Sequence, residues 1–126
     1  MNACILTIGD ELLQGFTIDT NASWLGKILH PYEIHIQKIV TVGDDHDAII
    51  CESRNILNSK FDFLFVTGGL GPTHDDITKT AFCTLFSDEM YMDKNYLALL
   101  KTKFESQLND MPEINYSQAM VCKKAD

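Results

Sequence analysis

A chain of 126 residues, 45% hydrophobic and 22% charged, is expected to form one globular domain around a single core, with no room for two independent ones. Its formal net charge of -8 and pI near 4.8 exclude sequence-independent binding to nucleic acid or to anionic membranes. Both need a surplus of Lys and Arg on one face, and Arg54 is the only arginine here.

Ala3-Cys4-Ile5-Leu6-Thr7-Ile8 is a nearly continuous apolar run ended by Gly9, the pattern of a strand buried on both faces of a parallel sheet. Asp19-Thr20-Asn21 then offers helix-capping side chains, with Trp24, Leu25, Ile28 and Leu29 at helical spacing until Pro31 stops the helix. A second strand is predicted over Ile34 to Val42, running into Gly43, and Asp44 can cap the following helix. That helix buries Ile49, Ile50, Ile56 and Leu57 and leaves Glu52, Arg54 and Asn55 solvated.

Phe61 to Thr67 is the strongest strand pattern and passes into Gly68-Gly69. Trp24 and Phe61 to Phe65 are assigned to the core. A helix is expected from about Asp76, burying Ala81, Phe82, Leu85 and Phe86. Another is expected from Asp93 to Leu108, with Tyr96, Leu97, Leu100, Phe104 and Leu108 on one side. Residues from Met111 onward lack a clear period. Strands alternating with helices predict an α/β fold with a parallel sheet covered by helices on both faces.

Cys4, Cys51, Cys83 and Cys122 form no C-x-x-C pair and each borders an apolar run, so they are expected to be reduced, buried thiols. The N-terminal run breaks too early for a secretory signal, and no stretch is long enough to span a bilayer. The expected location is the cytoplasm, with no membrane partner.

Three predicted strands end in glycine followed by acids: Gly9-Asp10-Glu11, Gly43-Asp44-Asp45, and Gly68-Gly69 with Asp75-Asp76 further on. In parallel sheets ligands bind outside the carboxyl ends of strands, so these groups are expected at one edge. Gly68, Gly69 and Gly71 allow backbone N–H groups to approach a phosphate, beside the N-terminus of the helix starting near Asp76. The loop is no Walker A motif, because no Gly-Lys-Ser/Thr follows. Clustered carboxylates repel phosphate unless a hard cation lies between them, so Asp44, Asp75 or Asp76 is expected to hold Mg²⁺ or a similar ion. The same residues have plainer uses, since Asp44 and Asp76 stand where helix N-caps stand and Asp19 and Asn21 form a local capping pair. His74 is either a metal ligand, a base-stacking group or a solvated partner of the adjacent aspartates.

The ordered series Gly9-Asp10-Glu11-Leu12-Leu13 to Gly15, Asp19-Thr20-Asn21, Val42-Gly43-Asp44-Asp45 and Thr67-Gly68-Gly69-Leu70-Gly71-Pro72-Thr73-His74-Asp75-Asp76-Ile77-Thr78 resembles the N-terminal domain of the CinA (competence/damage-inducible) family. That domain belongs to the molybdopterin-binding superfamily of molybdenum-cofactor biosynthesis. Asn115-Tyr116-Ser117-Gln118-Ala119 resembles its later Asn-x-x-Gln-Ala segment. The resemblance implies a three-layer α/β/α fold, a nucleotide-sugar or pterin-type ligand, and a homo-oligomer, dimer or trimer. It also implies divalent-metal-dependent hydrolysis of a pyrophosphate bond, with ADP-ribose as the substrate class.

By residue, the resemblance places Asp44, Asp76 and Asp75 in catalysis, with Asp44 and Asp76 on the metal. It places Gly9, Asp10, Glu11, Asn21, Gly68, Gly69, Leu70, Gly71, Pro72, Thr73 and Thr78 on the ligand. Asp10, Glu11 and Asp75 remain alternatives for the general base. Family domains run further than Asp126, so the chain is expected to be incomplete at its C-terminal end. Gly-Leu-Gly-Pro-Thr is the CinA form, and adenylyltransferases of the superfamily carry a Gly-Gly-Thr-Gly form. Nucleotidyl transfer to a pterin and a non-catalytic nucleotide- or pterin-binding module are the alternatives.

Overall fold

A continuous apolar run has only one way to bury both of its faces, as the middle strand of a sheet, and β1 (Asn2–Ile8) takes that place. In this computed structural model, which describes residues 1–71, 77–107 and 110–125, the chain forms two compact units, Met1–Gly69 and Leu70–Asp126.

In the first unit β1 lies between β2 (His35–Val42) and β3 (Phe63–Gly68), and both pairings are parallel. Ile5, Leu6 and Ile8 are at most 1% exposed. Each contributes roughly 1.5–3 kcal/mol by leaving water, so truncating Leu6 to alanine would cost about 3 kcal/mol. Register aligns the strand ends, with Ile8 opposite both Val42 and Gly68. The α/β class with a parallel sheet is thus as expected.

Three helices connect these strands: α1 (Asp10–Leu13), α2 (Thr20–Leu29) and α3 (His46–Leu57). Asp19 caps α2 by accepting from the Ala22 N–H at 2.9 Å. Helix α2 ends two residues before Pro31, and a 3₁₀ turn, His30–Tyr32, leads into β2. Asp44 was expected to cap α3, but Asp45 does so, accepting from the Ala48 N–H at 2.8 Å. Asp44 is free of that duty because its carboxylate is turned towards Asp10.

Several assignments to the core need correction, among them Leu57, which was expected on the buried face of α3 and is 48% exposed. Trp24 is 60% exposed and Ile28 38%. The inward line of α2 is buried Ala22 with half-buried Leu25 and Leu29, spaced by three and four, and Trp24 with Ile28 forms the neighbouring line outside it. Phe63, at the start of β3, is also exposed, although Phe61 and Phe65 are half-buried. Cys51 points outward from α3, whose buried line is Ile49, Ser53 and Ile56, so it is not the buried thiol expected. Cys4 and Cys83 are buried and Cys122 is half-buried.

The second unit contains α4 (Ile77–Leu85), β4 (Met90–Met92), α5 (Lys94–Glu105) and β5 (Met120–Cys122). β4 and β5 pair antiparallel, with Met90 opposite Cys122 and Met92 opposite Met120. Asp93 caps α5 by accepting from the N–H groups of Asn95 and Tyr96. Leu97, Leu100 and Phe104 form its half-buried line, while Tyr96 lies outside it. A 3₁₀ segment, Glu113–Ala119, precedes β5 and buries Ala119. Thr78 and Ala81 fill the inner side of α4, whereas Phe86 is 53% exposed rather than buried, because it lies beyond the end of that helix.

Candidate functional site

The chain reverses direction immediately after each strand of the parallel sheet, and two of these turns meet. Gly9 donates its N–H to the Val42 carbonyl at 3.0 Å, extending the pairing one step past β1. Asp10 and Asp44 then hydrogen-bond reciprocally. The Asp10 N–H donates to Asp44 Oδ2 at 3.1 Å, and the Asp44 N–H donates to Asp10 Oδ1 at 3.2 Å. Each carboxylate therefore satisfies the first free N–H of the other's turn, and the remaining oxygens, Asp10 Oδ2 and Asp44 Oδ1, have no hydrogen-bond partner among the described residues.

Glycine permits this approach. A Cβ on Gly43 would overlap Asp10 Oδ1, and one on Gly9 would lie 2.5 Å from Glu11 Oε1. The Glu11 carboxylate is thus folded back over the Gly9 backbone. Gly68 has φ 93, in the left-handed region, and a Cβ there would fall on the carbonyl oxygen of Ile8. Gly69 also has a positive φ, 60.

Asn21 is drawn to the same edge. Its Nδ2 donates to Thr67 Oγ1 at 3.3 Å, bringing the first turn of α2 to the end of β3. Asp19, by contrast, takes the capping role, with Oδ1 on the Ala22 N–H and Oδ2 buried without a hydrogen-bond partner among the described residues. Sequence reasoning missed Thr67, and also Thr7, whose fully buried hydroxyl lies 2.9 Å from Thr41 Oγ1. A hydroxyl in an otherwise apolar central strand was the signal available for Thr7, because a buried hydroxyl requires a partner.

Gly9, Asp10, Glu11, Asn21, Asp44, Gly68 and Gly69 thus lie at the carboxyl ends of the first unit's strands. Leu70 and Gly71 open the second unit, where Leu70 is 51% exposed, and Thr78 is 7% exposed in the first turn of α4. Pro72, Thr73, His74, Asp75 and Asp76 lie outside the described residues. Asp10 and Asp44 offer the donor set of a hard cation, two carboxylates with one oxygen each that has no hydrogen bond among the described residues. They fit a divalent metal by chemistry.

The family described as "Probable molybdopterin binding domain" matches residues 4–124. A CinA-like protein of Flavobacterium psychrophilum is 35% identical over 127 residues, covering 100% of this chain and 30% of the relative. The chain spans 27 to 30% of the length of the first curated relatives it matches. The crystal structure of the protein CinA from Thermoplasma acidophilum, whose function is described as unknown, matches with a TM-score of 0.85 and 30% identity, covering 99% of this chain and 72% of that one. The molybdopterin biosynthesis enzyme MoaB of Thermus thermophilus shares the fold at a TM-score of 0.65 and 18% identity, over 96% of this chain and 78% of its own. Among the described residues no helix is long and apolar enough to cross a membrane. With the strand-end glycines and acids in the expected order, and a family match over nearly the whole sequence, the chain belongs to the molybdopterin-binding domain family, in the form carried by CinA-type proteins.

Proposed function

We propose that this chain binds a nucleotide-sugar or pterin-type phosphate ligand outside the carboxyl ends of β1, β2 and β3, and hydrolyses a pyrophosphate bond of the ADP-ribose class with a divalent metal. The reading rests above all on the reciprocal Asp10–Asp44 pair, which holds two carboxylates together at the edge where parallel sheets receive ligands. Membership of the molybdopterin-binding family supports the ligand class.

Asp44 and Asp76 would hold the cation, with Asp76 entering from its place in the sequence. A bound divalent ion of the Mg²⁺ type polarises a phosphoryl oxygen and lowers the pKa of attached water. Backbone N–H groups of Gly69, Leu70, Gly71 and Thr73 would donate to phosphate oxygens, Pro72 having none to give, which is the use to which glycine-rich turns before helices are put. Asn21, turned towards Thr67, supplies an amide that discriminates the ligand's polar edge. Asp10, Glu11 or Asp75 accepts the proton from water. The homo-oligomer implied by the resemblance belongs to the same proposal, and exposed Phe16, Ile18 and Trp24 supply apolar surface that assembly would cover.

The test is release of AMP from ADP-ribose by the purified chain, with and without Mg²⁺, beside Asp76→Ala and with ligand binding followed by calorimetry. Metal-dependent release that falls by about 100-fold or more in the variant is expected for loss of a group that stabilises the transition state. Binding without cleavage under any metal removes the hydrolase and leaves the binding module. Absence of both overturns the reading.

A further inference from the structure

The second unit carries a constellation that the proposed phosphate site does not use. Cys83 lies on the inner side of α4 and is 7% exposed, Asp88 follows in the turn before β4, and Cys122 ends β5. One potential ligand atom from each, two thiol sulfurs and a carboxylate oxygen, lie within 4.8 Å of one another.

Backbone hydrogen bonds fix all three positions. The Asp88 N–H donates to the Cys83 carbonyl at 2.8 Å, and the Lys123 N–H donates to the Glu89 carbonyl at 2.9 Å. The Lys124 N–H donates to Asp88 Oδ2 at 3.0 Å. That bond, the Glu89 N–H, which donates to Asp88 Oδ1 at 2.8 Å, and the charges of Lys124 and Lys123 hold the carboxyl below its ordinary range, but neither ammonium hydrogen-bonds to Asp88. Lys124 Nζ donates to the carbonyls of Phe86 and Ser87, and Lys123 Nζ pairs with Glu89. Asp88 and Cys122 also line a cavity of about 490 Å³, bounded further by Phe82, Phe86 and Lys124. The cluster is therefore backed by α4 and faces open space large enough for another ligand.

We propose that Cys83, Cys122 and Asp88 form a binding site for a thiophilic divalent cation of the zinc type, with its fourth position facing the cavity. Zinc–sulfur bonds of about 2.3 Å in tetrahedral geometry put two sulfurs roughly 3.8 Å apart, so atoms separated by at most 4.8 Å need to close by only about 1 Å. Two sulfurs select against Mg²⁺ and Ca²⁺, which take oxygen ligands, so this site is independent of the cation proposed for the first unit. Both thiols enter protonated and bind as thiolates. One cation in therefore releases two protons to solvent and leaves two S–metal bonds and one O–metal bond, with no oxidant involved.

Co²⁺ and Cd²⁺ titrated into the reduced 126-residue chain test this, followed by sulfur-to-metal charge-transfer absorbance and by proton release in weak buffer. One cation per chain, about two protons per cation and displacement of Co²⁺ by Zn²⁺ are expected. Cys122→Ser, at a half-buried position, removes the band with the fold checked by circular dichroism, and Cys83→Ser does the same. Asp88→Asn keeps the thiolate band and weakens binding by about tenfold or more. Cys51→Ser, at an exposed position in the first unit, leaves all of this unchanged. A band that survives Cys122→Ser, or is lost with Cys51→Ser, overturns the proposal. So does a folded chain, with all four thiols reduced, that gives no band.

Discussion

Replacing Gly68 by alanine puts a methyl group where β1 already has its backbone. The φ of 93 costs an L-residue about 1–2 kcal/mol by itself. The new Cβ would lie 2.9 Å from the carbonyl carbon of Ile8 and overlap its oxygen. Ile8 is 1% exposed within a strand paired on both sides, so it has no room to yield, and overpacking of that kind adds about 1–3 kcal/mol. Gly68→Ala is therefore expected to destabilise the chain by about 3 kcal/mol. With a urea slope near 2 kcal/mol/M the unfolding midpoint, read by far-ultraviolet circular dichroism, drops by about 1.5 M. Gly43→Ala is the matched control. Gly43 is not in the left-handed region, and its Cβ would meet a side-chain oxygen, Asp10 Oδ1, which can rotate away. The expected cost is the lost Asp10–Asp44 hydrogen bond, about 1 kcal/mol, together with loss of the proposed metal-dependent turnover. Equal midpoint shifts in the two variants, or a Gly68→Ala loss below about 1 kcal/mol, would refute the reasoning.

Burial pushes the Cys4 thiol above its ordinary 9.0, with Lys38 pulling it partly back and Glu52 adding to the rise. The unfolded chain then loses this proton first, so stability is fully present below pH 9.0 and is lost as pH rises through the folded value. Cys83 is pushed the same way, to about 12, mainly by burial. Urea unfolding at several alkaline pH values should show this decline, with part of the slope, at most about 1.4 kcal/mol per pH unit, removed in Cys4→Ala; an unchanged slope counts against the assignment. Asp45→Ala removes the cap of α3 and is expected to cost about 1 kcal/mol in thermal unfolding, whereas Asp47→Ala, on the exposed first turn, should cost less. An equal loss at both positions would mean that the Asp45 hydrogen bond contributes little.

The parallel sheet was legible because its strands are marked twice, by apolar runs and by the glycines that end them. Ala3 to Ile8 can be satisfied only between two other strands, and β2 and β3 flank it in register. β4 and β5 escaped, because three residues each, Met90–Met92 and Met120–Cys122, are too few to show alternation. The four residues of α1 are likewise too few to show a helical period. Trp24 was misplaced because periodicity locates an apolar face without fixing its centre. The small Ala22 marks where α2 is covered, and the large residue one line away is left outside.

At the site, spacing located the acids but not their division of labour. Asp44 and Asp45 are chemically identical and adjacent, yet one caps α3 and the other reaches back to the turn after β1. Asp19 and Asn21 divide in the same way, one capping α2 and the other bonding Thr67. In each pair the cap falls to the residue in line with the first turn's N–H groups, a matter of backbone direction that sequence spacing leaves open. The released partner is the one turned towards the strand ends. Capping and the proposed ligand chemistry are therefore not competing explanations of these acidic segments. Two polar residues at the helix start, adjacent in Asp44-Asp45 and one apart in Asp19 and Asn21, let one side chain complete the helix while the other faces the sheet edge. The reciprocal Asp10–Asp44 bonds then hold two carboxylates at the strand ends, each with one oxygen left without a hydrogen bond among the described residues, which is why the pair, more than the glycines, carries the proposed reading.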